Sequence, residues 1–208
     1  MRVRANATVA LLVVTALCSL LITLAGATEW AAQALGVVPA RLSGELAVSG
    51  AAPALLTPVT STLVHASFLH LVMNLLLLAW CGRQVEGLIG PGALVLLYAV
   101  GAYAAAGAQY ALDPASSLPI IGASGAVSAL IGAFALSFSR PKPLVRSFRV
   151  NRWLNTLWLL AAWVVLQWMM SWLMGLQGVL VATGAHVGGF LAGVILHRPL
   201  LLWRYRKA

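Results

Sequence analysis

The sequence has few acidic residues and little charge of either sign. Only 4 of its 208 residues are Asp or Glu, and charged side chains make up 8% of the chain. A soluble domain of this composition would expose much apolar surface to water, since 62% of the residues are hydrophobic. The chain is therefore expected to be an integral membrane protein whose partner is the lipid bilayer.

Cysteine is nearly absent, which limits disulfide and metal chemistry. Cys18 and Cys81 lie inside or at the end of apolar stretches, where both are expected to be packing residues. No carboxylate lies near the polar residues of those stretches, so the sequence predicts neither a metal site nor a cofactor.

Six apolar stretches approach the length of about 20 residues that a transmembrane helix needs. They predict a single all-α domain over residues 1–208, a polytopic six-helix bundle with a long outer loop at about 28–62. Residues 1–27 also resemble a signal peptide, but their apolar run exceeds the usual stretch of about 7 to 15 residues, which favours an uncleaved first helix. The predicted helices cover about 9–27, 63–81, 93–112, 120–138, 154–175 and 179–197.

The basic residues predict the orientation. The net charge is +9, but the basic residues sort by loop instead of forming one patch, which argues against nucleic-acid binding. If the N-terminus is cytoplasmic, every Lys and Arg except Arg41 falls on the inner side. We therefore expect an integral protein of a bacterial-type plasma membrane with both termini cytoplasmic. The inner residues are Arg2, Arg4, Arg83, Arg140, Lys142, Arg146, Arg149, Arg152, Arg198, Arg204, Arg206 and Lys207.

Four polar residues inside the predicted spans are the candidate functional residues: His70, Asn74, Ser124 and His186. A polar group in hydrocarbon costs free energy unless it is paired or lines a wet cavity. At about 1.5 Å per residue, these positions lie roughly 6 to 16 Å below the outer helix ends, within one leaflet. His70 and Asn74 are four residues apart and share a helix face. Taken alone, such a pair more often only bonds neighbouring helices, and that alternative remains open at this point.

Small residues surround Ser124 and follow His186. Gly122 and Gly125 flank a hydroxyl at the start of a predicted helix, where unpaired backbone N–H groups can hold a developing oxyanion. Gly189 and Gly193 lie on one stripe with His186, which would let a neighbouring helix approach closely. A matching small face on the fourth helix consists of Ser124, Ser128 and Gly132. Taken singly, a membrane serine or histidine is more often structural.

Three motifs, in this order, resemble the rhomboid family of intramembrane serine proteases. They are residues 65–74 (HASFLHLVMN), 122–125 (GASG) and 185–193 (AHVGGFLAG). The similarity extends over about residues 58–196 and includes Val85, Glu86 and Gly90.

The resemblance implies a six-helix bundle with a water-filled cavity and a serine endopeptidase activity. Ser124 would be the nucleophile and His186 the general base, with no acid completing a triad. His70, the Asn74 amide and the backbone N–H of Ser124 would bind the oxyanion. The substrates would be transmembrane segments of other proteins, cut near their outer ends after entering between the second and fifth helices. The oligomeric state is not indicated.

Two departures from the family pattern concern positioning. Many rhomboids carry an aromatic residue where this chain has Ser128, so His186 is expected to be held differently. Many carry Trp-Arg where this chain has Leu56 and Thr57, which affects how the outer loop is anchored. The main alternative function is a catalytically silent rhomboid-like protein that binds transmembrane segments. A small transporter is a weaker alternative, because intramembrane carboxylates are missing.

Overall fold

The computed structural model describes residues 6–138, 143–175 and 182–206. Their regular elements are helical, which confirms the all-α prediction for these ranges. Arg2, Arg4, Arg140, Lys142, Lys207 and the first residues of the sixth predicted span lie outside the described residues. In chain order the helices are α1 (Asn6–Leu24), α2 (Thr28–Leu35), α3 (Pro39–Leu42), α4 (Thr57–Thr60), α5 (Phe68–Leu77), α6 (Arg83–Ile89), α7 (Pro91–Leu112), α8 (Ser124–Phe138), α9 (Phe148–Gly175) and α10 (Thr183–Arg204).

Each predicted span overlaps a helix of the described residues, but not every helix has the length and hydropathy of a membrane span. Helix α8 is apolar with only 15 residues, whereas α9 extends over 28 residues. A π-helical turn joins α5 and α6 into one continuous segment. The chain is thus a polytopic helical protein, and the count of six spans stays a prediction. The four segments that meet both criteria are Asn6–Leu24, Phe68–Ile89, Pro91–Leu112 and Thr183–Arg204.

Helices α5 and α8 begin later than hydropathy predicts, because a side-chain cap and a backbone bridge determine where they begin. The second span begins at Phe68 instead of residue 63, since the Ser67 side chain caps α5 by accepting from the His70 N–H. The fourth begins at Ser124 instead of residue 120. There Ile120 pairs with Val37 through two backbone hydrogen bonds, so the chain remains extended before the helix.

The outer loop folds into short helices tied together by its basic residue. The Arg41 guanidinium donates to the carbonyl oxygens of Gln33, Ala34 and Ala52, which joins α2 to the segment that precedes α4. Leu56 is 52% exposed, whereas Thr57 is buried and its hydroxyl donates to the carbonyl of Ala54. Arg41 supplies the hydrogen bonds that join distant parts of the loop.

Three polar residues of helix α1 face the protein interior, while many of its apolar residues face outward. Thr8, Thr15 and Ser19 are its buried residues, while Leu17 and Leu21 are more than half exposed. This distribution is expected for a helix surrounded by lipid, where polar groups need partners inside the protein.

A buried carboxylate joins α1 to α6. Glu86 is fully buried and accepts hydrogen bonds from the Ala7 N–H at 3.0 Å, the Thr8 N–H at 2.8 Å and the Thr8 hydroxyl at 2.6 Å. The first N–H groups of a helix have no partner within the helix, so the carboxylate satisfies the beginning of α1. One side chain thus holds the first helix against the end of the second span.

Replacing Glu86 by Gln should destabilise the protein. The amide keeps the shape but brings an NH2 group toward donors that need an acceptor, so the free energy of unfolding should fall by about 2 kcal/mol. Unfolding by SDS in mixed micelles, followed by circular dichroism, measures this loss. Glu29→Gln, at an exposed carboxylate in α2, is the matched control. Equal midpoints for the two variants would contradict the role assigned to Glu86.

Candidate active site

The site begins in the turn that leads into α8. Gly122 has a φ of +107°, a conformation that L side chains rarely adopt. Its N–H donates to the Ser61 carbonyl at 2.9 Å, and an added Cβ would lie 2.7 Å from Nε2 of His70. Glycine is therefore required both by the turn and by the approach of the imidazole, and the turn places Ser124 as the first residue of α8.

Ser124 and His186 are in direct contact. The Ser124 Oγ lies 2.7 Å from Nε2 of His186, although 62 positions separate them in the sequence. His186 is in the first turn of α10 and is buried. Both residues therefore sit at helix N-termini, and Ser124 lies nearer to its helix end than the sequence predicts.

Glycines bring α8 and α10 close enough for this contact. A Cβ added at Gly189 would overlap the Gly125 carbonyl oxygen, and one added at Gly193 would overlap the Ala129 carbonyl oxygen. Gly125 itself faces α7, where an added Cβ would lie 2.6 Å from Cβ of Ala105. The two helices thus pack backbone against backbone below the Ser124–His186 pair.

The imidazole of His186 is positioned by packing against an aromatic ring. Nδ1 of His186 is buried and has no hydrogen-bond partner among the described residues, so no carboxylate of that part of the chain contacts it. The Trp163 ring of α9 instead meets it edge-on, with ring centroids 6.3 Å apart.

Ser128 holds Trp163 in this position. Its hydroxyl accepts from the indole Nε1–H at 3.2 Å and donates to the Ser124 carbonyl at 2.7 Å. The aromatic contact expected from α8 in many rhomboids is thus supplied by α9. Ser128 stands where many rhomboids have the aromatic residue, and its hydroxyl binds the indole of Trp163, which contacts His186 instead.

His70 and Asn74 line the same cavity as Ser124 and His186. The Asn74 amide donates from Nδ2 to the His70 carbonyl at 2.9 Å, which leaves its second N–H hydrogen free of this bond. The Oδ1 of Asn74 is buried without a partner among the described residues. All four polar residues selected from the sequence therefore face one space.

A third histidine, His65, connects three parts of the chain next to the site. Nε2 of His65 accepts from the Ala123 N–H at 3.3 Å, and Nδ1 lies 2.7 Å from the Ser19 Oγ. The Ser19 hydroxyl in turn donates to the Leu63 carbonyl, so Nδ1 carries the imidazole proton and donates to Ser19. The residue before Ser124 is thereby tied to α1.

The cavity has a volume of about 540 Å³ and is walled by α5, α7, α8, α9 and α10. Apolar side chains from α5 and α9 form one part of the wall, among them Leu69, Met73 and Leu166. Gln167 of α9 adds a buried amide. In the described parts of the chain, no group of three His, Cys, Asp or Glu side chains could hold a metal ion.

Sequence reasoning missed the residues that position the pair. Four tryptophans recur every five residues along α9, at positions 153, 158, 163 and 168. This spacing does not distinguish Trp163 from the tryptophans that face lipid. Ser19 is an isolated serine in the first span, and only the buried polar face of α1 could have pointed to it.

Comparison with known proteins gives concordant matches. The family model described as the rhomboid domain matches residues 53–203. The rhomboid protease GlpG of Enterobacter sp. (strain 638) is 31% identical over 138 residues, which is 66% of this chain and 45% of that protein. GlpG of Klebsiella pneumoniae (strain 342) is 30% identical over 134 residues, covering 64% of this chain and 44% of that protein.

A third relative gives the same coverage. GlpG of Serratia proteamaculans (strain 568) is 30% identical over 141 residues, or 66% of this chain and 45% of that protein. The chain thus spans somewhat less than half the length of these curated relatives.

Truncation of Trp163 tests its role in the packing around His186. Trp163 is 8% exposed, so Trp163→Ala should lower the free energy of unfolding by about 3 kcal/mol. Trp158→Ala is the control on the same helix, because its ring is 68% exposed and its loss should change the free energy by less than about 1 kcal/mol. SDS unfolding of both variants gives the comparison, and equal losses would rule out a special contribution of the buried ring.

Proposed function

The chain belongs to the rhomboid family, and on this basis we propose that it is an intramembrane serine endopeptidase. It would cleave transmembrane segments of other membrane proteins. The observation that carries the proposal is the 2.7 Å separation between the Ser124 Oγ and Nε2 of His186. This is hydrogen-bond distance, as a hydroxyl nucleophile and its general base require.

Ser124 acts as the nucleophile and His186 as the base. The imidazole removes the hydroxyl proton as Oγ attacks the scissile carbonyl, and it returns the proton to the leaving amine. A water then hydrolyses the acyl-enzyme by the same transfers. Because Nδ1 of His186 has no hydrogen-bond partner among the described residues, the ring orientation depends on Trp163 and on the close packing of α10.

The oxyanion of the tetrahedral intermediate would be held by three donors. They are the His70 imidazole, the second amide hydrogen of Asn74 and the backbone N–H of Ser124, which begins α8. Two observations support this assignment of donors. All three residues line one cavity, and a helix N-terminus favours negative charge. Stabilising charge that exists only in the intermediate accelerates the chemical step.

The proposed substrate is a transmembrane segment that unwinds locally. A helical segment satisfies its own backbone hydrogen bonds, so its scissile carbonyl becomes accessible only where the helix opens. The proposed site of cleavage lies near the outer end of the segment, where Ser124 and His186 occupy the first turns of their helices. Helix-breaking residues in the substrate should therefore favour cleavage.

The proposed membrane orientation places the site toward the outside of a bacterial-type plasma membrane and both termini in the cytoplasm. Basic residues collect at the end opposite the Ser124–His186 pair. Arg204 lies against Gly90 at the start of α7, and Arg152 of α9 reaches the last turn of α8. This distribution agrees with the excess of Lys and Arg in cytoplasmic loops.

Replacing Ser124 by Ala tests the proposed chemistry. Purified protein in liposomes, supplied with a fluorescent transmembrane substrate, should lose cleavage by about 10³-fold or more. Ser49→Ala, at an exposed loop serine, is the control and should keep wild-type turnover. A fluorophosphonate probe should label the wild-type protein and the control but not Ser124→Ala.

Two other outcomes would count against the proposal. Cleavage that survives in a folded Ser124→Ala variant would exclude the Ser124–His186 mechanism. A wild-type protein that binds transmembrane segments without cleaving any, or reacting with the probe, would favour the catalytically silent alternative.

Substrate entry is proposed to occur between α5 and α9. Leu69 and Met73 of α5 and Leu166 of α9 line the cavity, so apolar side chains of both helices border this path. The rings of Trp168 and Trp172 are 65% exposed and would contact an approaching segment from the lipid side.

Smaller side chains on α9 should ease entry. Trp168→Ala and Trp172→Ala together should raise the turnover of a transmembrane substrate, and Leu166→Ala should do the same from the cavity side, each by roughly two- to tenfold. A short soluble peptide substrate, which needs no lateral entry, should show no gain. Unchanged or lower turnover in folded variants would contradict this route.

A further inference from the structure

A second cavity of about 320 Å³ lies at the opposite end of the bundle, between α6, α8, α9 and α10. Ser137, on its wall, is 13 positions after Ser124 in α8, or roughly 20 Å further along the helix axis. The cavity is therefore separate from the proposed active site. Its lining residues are Leu88, Leu136, Ser137, Phe148, Arg152, His197 and Leu201.

The polar side of this cavity combines a guanidinium with an imidazole. One Nη of Arg152 donates to the Leu136 carbonyl at 2.9 Å, and a guanidinium has four further N–H donors beyond the one used here. His197 is buried, and its Nε2 lies 2.7 Å from the Ser137 Oγ. These bonds hold a cationic guanidinium and a polar imidazole in place, and the N-terminus of α9 at Phe148 adds partial positive charge.

Ser137 and His197 are not arranged as a second catalytic pair. The Ser137 hydroxyl is also 2.9 Å from the Ala133 carbonyl, which competes for its one hydrogen. Ser137 lies in the last turn of α8, where carbonyl groups instead of N–H groups lack intrahelical partners. Such a helix end offers no free backbone N–H group to a developing oxyanion beside Ser137.

The other side of the cavity is apolar. Leu88, Leu136, Phe148 and Leu201 contribute aliphatic and aromatic surface, and Phe148 is 69% exposed. A ligand that fits this lining has an anionic group for Arg152 and an apolar portion beside it. Phospholipids with a net negative charge combine both features, and basic pockets between helices at a membrane surface suit them.

We propose that this cavity binds the phosphate group of an anionic phospholipid, with Arg152 as the main ligand and the acyl chains against Phe148 and Leu201. Arginine suits phosphate because its planar donors pair with two oxygens at once. Since Arg152 and Phe148 belong to the first turns of α9, the lipid would join the base of α9 to α8 and α10.

Native mass spectrometry of the delipidated full chain, titrated with phosphatidylglycerol, tests the site. The wild-type protein should retain one lipid more tightly than the others, and Arg152→Gln should weaken that binding by roughly tenfold. Arg149→Gln removes an exposed arginine of the same helix and should leave it unchanged. Leu201→Trp, which fills the cavity but keeps Arg152, should also abolish the tight binding and serves if Arg152→Gln does not fold.

Diacylglycerol and inorganic phosphate distinguish the sources of binding. Neither diacylglycerol, which lacks the phosphate, nor inorganic phosphate, which lacks acyl chains, should occupy the site at the concentration that saturates phosphatidylglycerol. Equal weakening by Arg152→Gln and Arg149→Gln would indicate unspecific attraction and overturn the proposal. Displacement of the lipid by inorganic phosphate at matching concentration would overturn the assignment to a lipid.

Discussion

The close backbone contact between α8 and α10 is the constraint on which the rest of the structure depends. Gly189 and Gly193 leave no room for a Cβ against the carbonyls of α8, so the two helices lie as near as their backbones allow. Only at this separation does the short Ser124 side chain come within 2.7 Å of the imidazole of His186. Larger residues at these positions would part the helices and separate the pair.

Hydrogen bonds between polar groups determine which helices pack together, because apolar contacts alone would not favour one helix partner over another. The surrounding lipid chains are as apolar as the side chains of the helices, so hydrophobic burial alone does not select helix partners. Glu86 attaches α1 through three hydrogen bonds, and His65 ties Ser19 to the residue preceding Ser124. The same kind of contact therefore sets both the fold and the position of the nucleophile.

Much of the fold and site could be predicted because membrane proteins have simple sequence rules. The helices followed from apolar length, and Ser124 and His186 stood out because polar residues are costly in hydrocarbon. The starts of α5 and α8 were misplaced, since a Ser67 side chain and the Ile120 pairing with Val37 determine them. Hydropathy averages over many residues and does not register a single cap or bridge.

The sequence by itself determined the all-helical architecture, the family and the four polar residues of the candidate site, because local composition or spaced motifs indicate each of them. Tertiary structure alone decided that Trp163 of α9 replaces an aromatic residue of α8 beside His186. It likewise decided that Arg152 and His197 line one cavity. These contacts join residues far apart in the chain. Helix packing brings them together, and the pattern of residues within a single helix does not predict which helices pack.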